Sequence, residues 1–297
     1  MTGFTRSHHF SHIYIVQFLS SHDTMKTGRD LFDYLQPYAS AAEIGLEFLD
    51  VRTATDFLSA LKVIIEHCRR TGSGPLLHLE THGTVDGICI SREEFIPWGS
   101  LKEPLTELNR LSQMNLLVTL AACHGFNLVK ALRPGDESPV WALFGPTEQV
   151  LPSDIRAGFQ SFFRILLEEL DLNAAIRALK EADRSYPDGW SFQNAEIFFA
   201  YIYGSYLDEH IGPETLLERE EGIVRGLCER GVPDTPALRQ SIRTMYADEH
   251  GIFGVFKRRF LMLDRFPENE SRFLITLGDV NRLRQLRRAS EPRQRGA

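Results

Sequence analysis

Short β-branched, apolar runs alternate with amphipathic segments through the first two hundred residues, and this alternation narrows the possible folds more than any other feature. Residues 13–19 (IYIVQFL), 44–51 (IGLEFLDV) and 76–79 (LLHL) read as strands, as do 115–123 (NLLVTLAAC) and 139–144 (PVWALF). Between them, residues 30–35 continue a helical pattern that Pro37 helps to close, and 57–68 carry apolar residues at helical spacing. Residues 101–111 form a helix broken or begun at Pro104, and 155–179 hold one or two amphipathic helices. Strands separated by helices of this length predict a mostly parallel α/β sheet flanked by helices on both faces. Asp86-Gly87, between Val85 and Ile88, has the form of a tight hairpin turn.

From about Leu207 the pattern becomes helical, with helices expected over 214–230 and 235–260. We therefore expect an α/β domain over 1–206 and a helical C-terminal extension over 207–297. Leu216, Leu217, Ile223, Val224 and Leu227 recur at helical spacing and predict one buried face there. The final stretch is rich in arginine (Arg282, Arg284, Arg287, Arg288, Arg293, Arg295) and reads as a solvated face or tail.

A net charge of -7 argues against a general nucleic-acid binder, and no apolar run reaches the 18 residues a membrane span needs. The apolar run near the N-terminus is too short and too mixed with His and Gln for a signal peptide. Cys68, Cys89, Cys123 and Cys228 form neither a CxxC zinc pattern nor a disulfide framework, which suggests reduced thiols in a cytoplasmic protein.

Two strands end on chemically useful residues. The third finishes on Thr81-His82-Gly83 and the fourth on Cys123-His124-Gly125. If the two are parallel neighbours, both ends fall on the edge of the sheet where such folds bind ligands. An imidazole beside a thiol favours the nucleophilic thiolate. Gly83 and Gly125 leave main-chain N–H groups open to a developing oxyanion. Cys68, Cys89, Cys228, His67 and His210 lack such a setting and read as structural. His124 is expected to point away from the pair.

The order strand-His-Gly, hairpin, helix, strand-Ala-Cys resembles the caspase-like cysteine peptidases, and among them the bacterial CHAT-type branch related to separase. The resemblance rests on THG at 81–83, TVDGICI, LLVTLAAC and the stretch from VWALFGPTEQVLPSD to the helix ending AIRAL. It spans about residues 13–183 and leaves the helical third outside. It implies a cysteine endopeptidase with a dyad, Cys123 the nucleophile and His82 the proton carrier. The backbone N–H groups of Gly83 and Cys123 would bind the oxyanion, and no cofactor or metal would be needed. It implies a protein or peptide substrate and leaves room for an activating protein partner. It also places the first substrate pocket beside residues 145–154 (GPTEQVLPSD), where Glu148 and Asp154 would favour Lys or Arg. Relatives carry an acidic residue two positions before the cysteine; this chain has Ala121.

Three alternatives stand beside these expectations. The fold could serve as a catalytically silent scaffold or binding module. His78, His82, Cys123 and His124 could gather round zinc, if their ligand atoms converge. Asp154 could simply cap the helix that begins near Ile155.

Overall fold

The strand β1 (His12–Phe18) is buried along all but its first residue, because it has a partner on each side and helices above and below. The computed structural model in which it lies describes residues 10–91, 93–183, 189–210 and 213–290. The chain divides into two compact units, one of residues up to 132 with 138–195, the other of 133–137 with residues from 196 onward.

In the first unit β1 is followed by α1 (Thr27–Ala41), β2 (Gly45–Asp50), α2 (Ala54–Thr71) and β3 (Pro75–Gly83). Next come a hairpin of β4 (Gly87–Cys89) and β5 (Phe95–Pro97), then α3 (Trp98–Leu111) and β6 (Leu117–Ala121). A 3-10 helix (Gly125–Ala131) leads to β7 (Ala142–Pro146), α4 (Pro152–Glu169), α5 (Leu172–Ala182) and β8 (Trp190–Asn194). The main sheet runs β2-β1-β3-β6-β7-β8. Every pairing along it is parallel except β7 with β8.

This order explains how the helices divide. A right-handed crossover from β1 outward to β2 puts α1 on one face. The chain then reverses direction across β1 to reach β3, so α2 lies on the other face, and α3 joins it on the way to β6. The packing agrees: α1 contacts α4, and α4 contacts α5, whereas α2 contacts α3, and α3 contacts the 3-10 helix. The expected α/β class, a mostly parallel sheet covered on both faces, is the observed one. On the α4 face the core is aromatic, with Phe144 and Trp190 against Phe159.

Several boundaries differ from expectation. Pro37 lies inside α1 and Pro104 inside α3, so neither closes or opens its helix. The buried stripes Leu31, Leu35, Ala39 and Leu101, Leu105, Leu108 run past each ring, and their burial outweighs the lost hydrogen bond. Residues 155–179 fall in two helices, separated at Leu170, which takes a left-handed φ of 53°. The hairpin at Asp86-Gly87 forms: Thr84 N–H donates to the Gly87 carbonyl at 2.8 Å.

The second unit holds α6 (Ala195–His210), α7 (Pro213–Cys228), α8 (Pro236–Ala247), α9 (Glu249–Phe260) and α10 (Leu277–Ser290). α6 runs through residues 206 and 207, and the two compact units divide at residues 195 and 196. Phe199, Tyr203 and Tyr206 of α6 pack against Phe253 and Phe256 of α9. Glu137, almost fully buried, accepts from Arg265 at 2.8 Å and pairs with Arg259 at 3.3 Å, which ties residues 133–137 into this unit. Val224 is buried as expected, but Leu217 is exposed. The arginine run is less free than a solvated tail. Arg284, Arg287 and Arg288 all pair with Asp208, while Arg293 and Arg295 lie outside the described residues.

Candidate active site

Strands β3 and β6 are parallel neighbours, paired from Leu76 with Leu117 to Glu80 with Ala121. Continuing that offset two residues past β6 sets His82 level with Cys123. The main chains meet just beyond. A Cβ built on Gly83 would stand 1.8 Å from the Cys123 carbonyl oxygen and 3.1 Å from its nitrogen. Only glycine permits this approach. Cys123 itself is partly exposed, its thiol is free, and His124 turns the chain with a left-handed φ of 56°.

His82 carries a partner that sequence reasoning missed. Its Nε2 lies 3.0 Å from Oδ1 of Asp23, in the loop after β1. The loop is braced at both ends. Asp23 N–H and Lys26 Nζ both donate to the Ser20 carbonyl. At the start of α1, Thr27 Oγ1 donates to Oε1 of buried Glu80, two residues before His82 on β3. A Cβ on Gly28 would stand 3.2 Å from Glu80 Cβ, so the helix end fits tightly against that strand. The other Glu80 oxygen lies 3.2 Å from His78 Nε2, and His78 Nδ1 lies 2.8 Å from Thr119 Oγ1. With Nε2 of His82 directed at a carboxylate, Nδ1 remains as the nitrogen able to take a proton from a thiol.

His78 is fully buried and has both ring nitrogens engaged, so it is committed to this network and does not join His82, Cys123 and His124 around a zinc ion. Among the described residues, the group of three side chains placed to share a metal is His12, Glu47 and His67, at the opposite edge of the sheet. Cys89, which the sequence gives no role, stands opposite His82 in the β3–β4 ladder. Burial pushes its thiol up, toward the unreactive protonated form.

In the loop after β7, Glu148 is exposed. Asp154 lies in the first turn of α4 but does not cap it: the cap position is Leu151, which makes no side-chain cap hydrogen bond. One Asp154 oxygen, Oδ2, is shielded from solvent and has no hydrogen-bond partner.

No protein-family model matches the chain, and no curated protein does. Among solved structures it is similar to a secreted C11 cysteine protease from Bacteroides thetaiotaomicron, "iotapain", at 8% identity and a TM-score of 0.45. The likeness covers 67% of this chain and 71% of that one. Likeness of that degree assigns no chemistry to this chain.

Proposed function

We propose that the protein is a cysteine endopeptidase of the caspase-like class, within its bacterial CHAT-type branch, in which Cys123 is the nucleophile and His82 the proton carrier. The observation that carries this reading is the contact of Gly83 with the Cys123 main chain, which holds a partly exposed thiol level with a half-exposed imidazole at the carboxyl edge of a parallel sheet. His82 Nδ1 takes the thiol proton and the Cys123 sulfur attacks the peptide carbonyl carbon. The carbonyl oxygen becomes an oxyanion, which the N–H groups of Gly83 and Cys123 receive. The imidazolium returns the proton to the leaving amine, the C–N bond breaks, and water then cleaves the thioester with His82 again as base. Asp23 holds the imidazole and balances its charge, so a third residue supports the dyad.

The substrate is a protein or peptide, and the proposal includes an activating protein partner and a reducing cytoplasmic setting. A preference for Lys or Arg before the cut is part of the proposal. The unpartnered oxygen of Asp154 supports that residue over exposed Glu148 as its source.

Peptide-library cleavage with parallel thiol alkylation tests the reading. Cys123→Ala and His82→Ala should each abolish cleavage, and His82→Ala should slow alkylation at residue 123 near pH 7. Cys89→Ser should leave both intact. Wild-type protein that cuts nothing, with Cys123 alkylated no faster than a free thiol, would favour the silent scaffold.

A further inference from the structure

The edge of the sheet opposite His82 gathers a second set of chemically capable side chains. His12 opens β1, Glu47 lies on β2, and His67 lies near the end of α2. His12 is level with Gly45 in the parallel pairing. Its ring lies over that glycine: a Cβ at residue 45 would stand 2.2 Å from ring atoms Cδ2 and Nε2. Any larger residue would displace the imidazole. The ring meets His67 edge to face with centroids 5.0 Å apart, and His67 Nδ1 lies 3.2 Å from Glu47 Oε1 and 2.9 Å from the Tyr14 hydroxyl. In sequence alone His67 reads as structural, and His12 and Glu47 carry no role.

Two observations go beyond a hydrogen-bonded cluster. One ligand atom from each of His12, Glu47 and His67 lies within 4.8 Å of the other two. Donors around a tetrahedral zinc are roughly 3.4 Å apart, so rotamer adjustments of about an ångström bring all three into coordination. Independently, Nδ1 of His12 is shielded from solvent and has no hydrogen-bond partner. Buried polar atoms are seldom left so. A cation seated among these groups would give the imidazole a role for its lone pair and would offset the Glu47 charge.

We propose that His12, Glu47 and His67 bind a divalent transition metal, zinc by their donor set, which fastens the start of β1 to β2 and to the end of α2. Two imidazoles and one carboxylate suit a borderline cation such as zinc and not calcium or magnesium, which take oxygen ligands. Three protein ligands leave a fourth position for the Tyr14 hydroxyl or a water molecule. The site is roughly 23 Å from His82, taking the seven strand residues from Pro75 (level with His12) to His82 at ordinary strand rise. Its role is therefore structural and does not depend on the peptidase reading.

Zinc and cobalt binding to the full chain carrying Cys123→Ala, which removes the exposed site thiol, tests this. Stripped with EDTA, reloaded with zinc and freed of excess metal by gel filtration, the protein should retain one zinc per chain and melt at a higher temperature than its zinc-free form. Cobalt should give d–d bands without a thiolate charge-transfer band. Glu47→Gln should weaken zinc binding about tenfold or more, and His12→Gln with His67→Gln should abolish it while the zinc-free protein melts as its parent does. If the double variant fails to fold, the cobalt spectrum of the parent and the Glu47→Gln affinity decide. No retained zinc in the parent, unchanged uptake in the variants, or a thiolate band would each overturn the proposal.

Discussion

Asp23 and His82 meet across fifty-nine residues of chain, the carboxylate Oδ1 3.0 Å from the imidazole Nε2. If this contact orients the ring for Cys123, Asp23→Ala should slow both alkylation of Cys123 and peptide cleavage. His82 is 52% exposed, so solvent screens the charge and the loss should be about tenfold rather than the thousands seen for buried partners. Asp23→Asn should recover part of the alkylation rate, because the amide oxygen can still accept from Nε2. Alkylation rates across pH 5–9 that coincide for wild type and Asp23→Ala would remove Asp23 from the mechanism.

Gly83→Ala should be the most damaging small change near the site. Its methyl group would stand 1.8 Å from the Cys123 carbonyl oxygen, and the obstacle is main chain, which cannot swing aside. We expect a loss of about 2 kcal/mol or more in urea unfolding, together with loss of cleavage. Wild-type cleavage by a Gly83→Ala protein would mean that His82 and Cys123 need not be held this closely.

The support beneath the site should be costly to remove. Glu80 is 3% exposed and receives Thr27 and His78. Glu80→Ala strands both donors and opens a cavity, for an expected loss of about 3 kcal/mol. Because Thr27 begins the helix that follows the Asp23 loop, the variant should also lose the effect of Asp23 on alkylation. Equilibrium unfolding combined with the Asp23→Ala double mutant measures this coupling.

Glu196 offers a signed pH test in the second unit. Burial raises its carboxyl above the ordinary range, against the N–H groups of Ile275 and Leu274, and Ile275 N–H donates to Oε1 at 2.8 Å. A raised carboxyl favours folding while protonated, so its contribution is full below the unfolded value and fades as pH rises through the folded one. Glu196→Gln, uncharged throughout, should therefore gain stability relative to wild type between pH 4 and pH 7. Melting curves in which that difference is flat or reversed would contradict the assignment.

The central strands were legible because β1, β3 and β6 are buried on both faces and so are mostly apolar, which leaves short apolar runs in the sequence. His82 and Cys123 were legible because each breaks such a run at its end. β8 was not: it is a short edge strand, and the alternation of WSFQN, Trp190 to Gln193, spans only four residues. Pro37 and Pro104 misled because propensity is local while the buried stripes of α1 and α3 are tertiary. Asp23 carried no spacing signal at all. A signal did exist in the pairing of β1 with β3, which ends at Phe18 opposite Thr81 and so puts the loop after β1 beside His82. His12, Glu47 and His67 belong to three elements and become neighbours only when β1, β2 and α2 assemble.

The one antiparallel pairing of the main sheet has a consequence for synthesis. β7 is made some forty-four residues before β8 covers it, 146 against 190 at their paired ends, and α4 and α5 lie between. As the chain leaves the ribosome, β3 and β6 with His82 and Cys123 are already out while the flank of β7 still presents unpaired N–H and C=O groups. An uncovered strand of that kind invites pairing with another nascent chain. Ribosome-bound fragments ending before Trp190 should thus be prone to aggregate, and those extending past Asn194 should not.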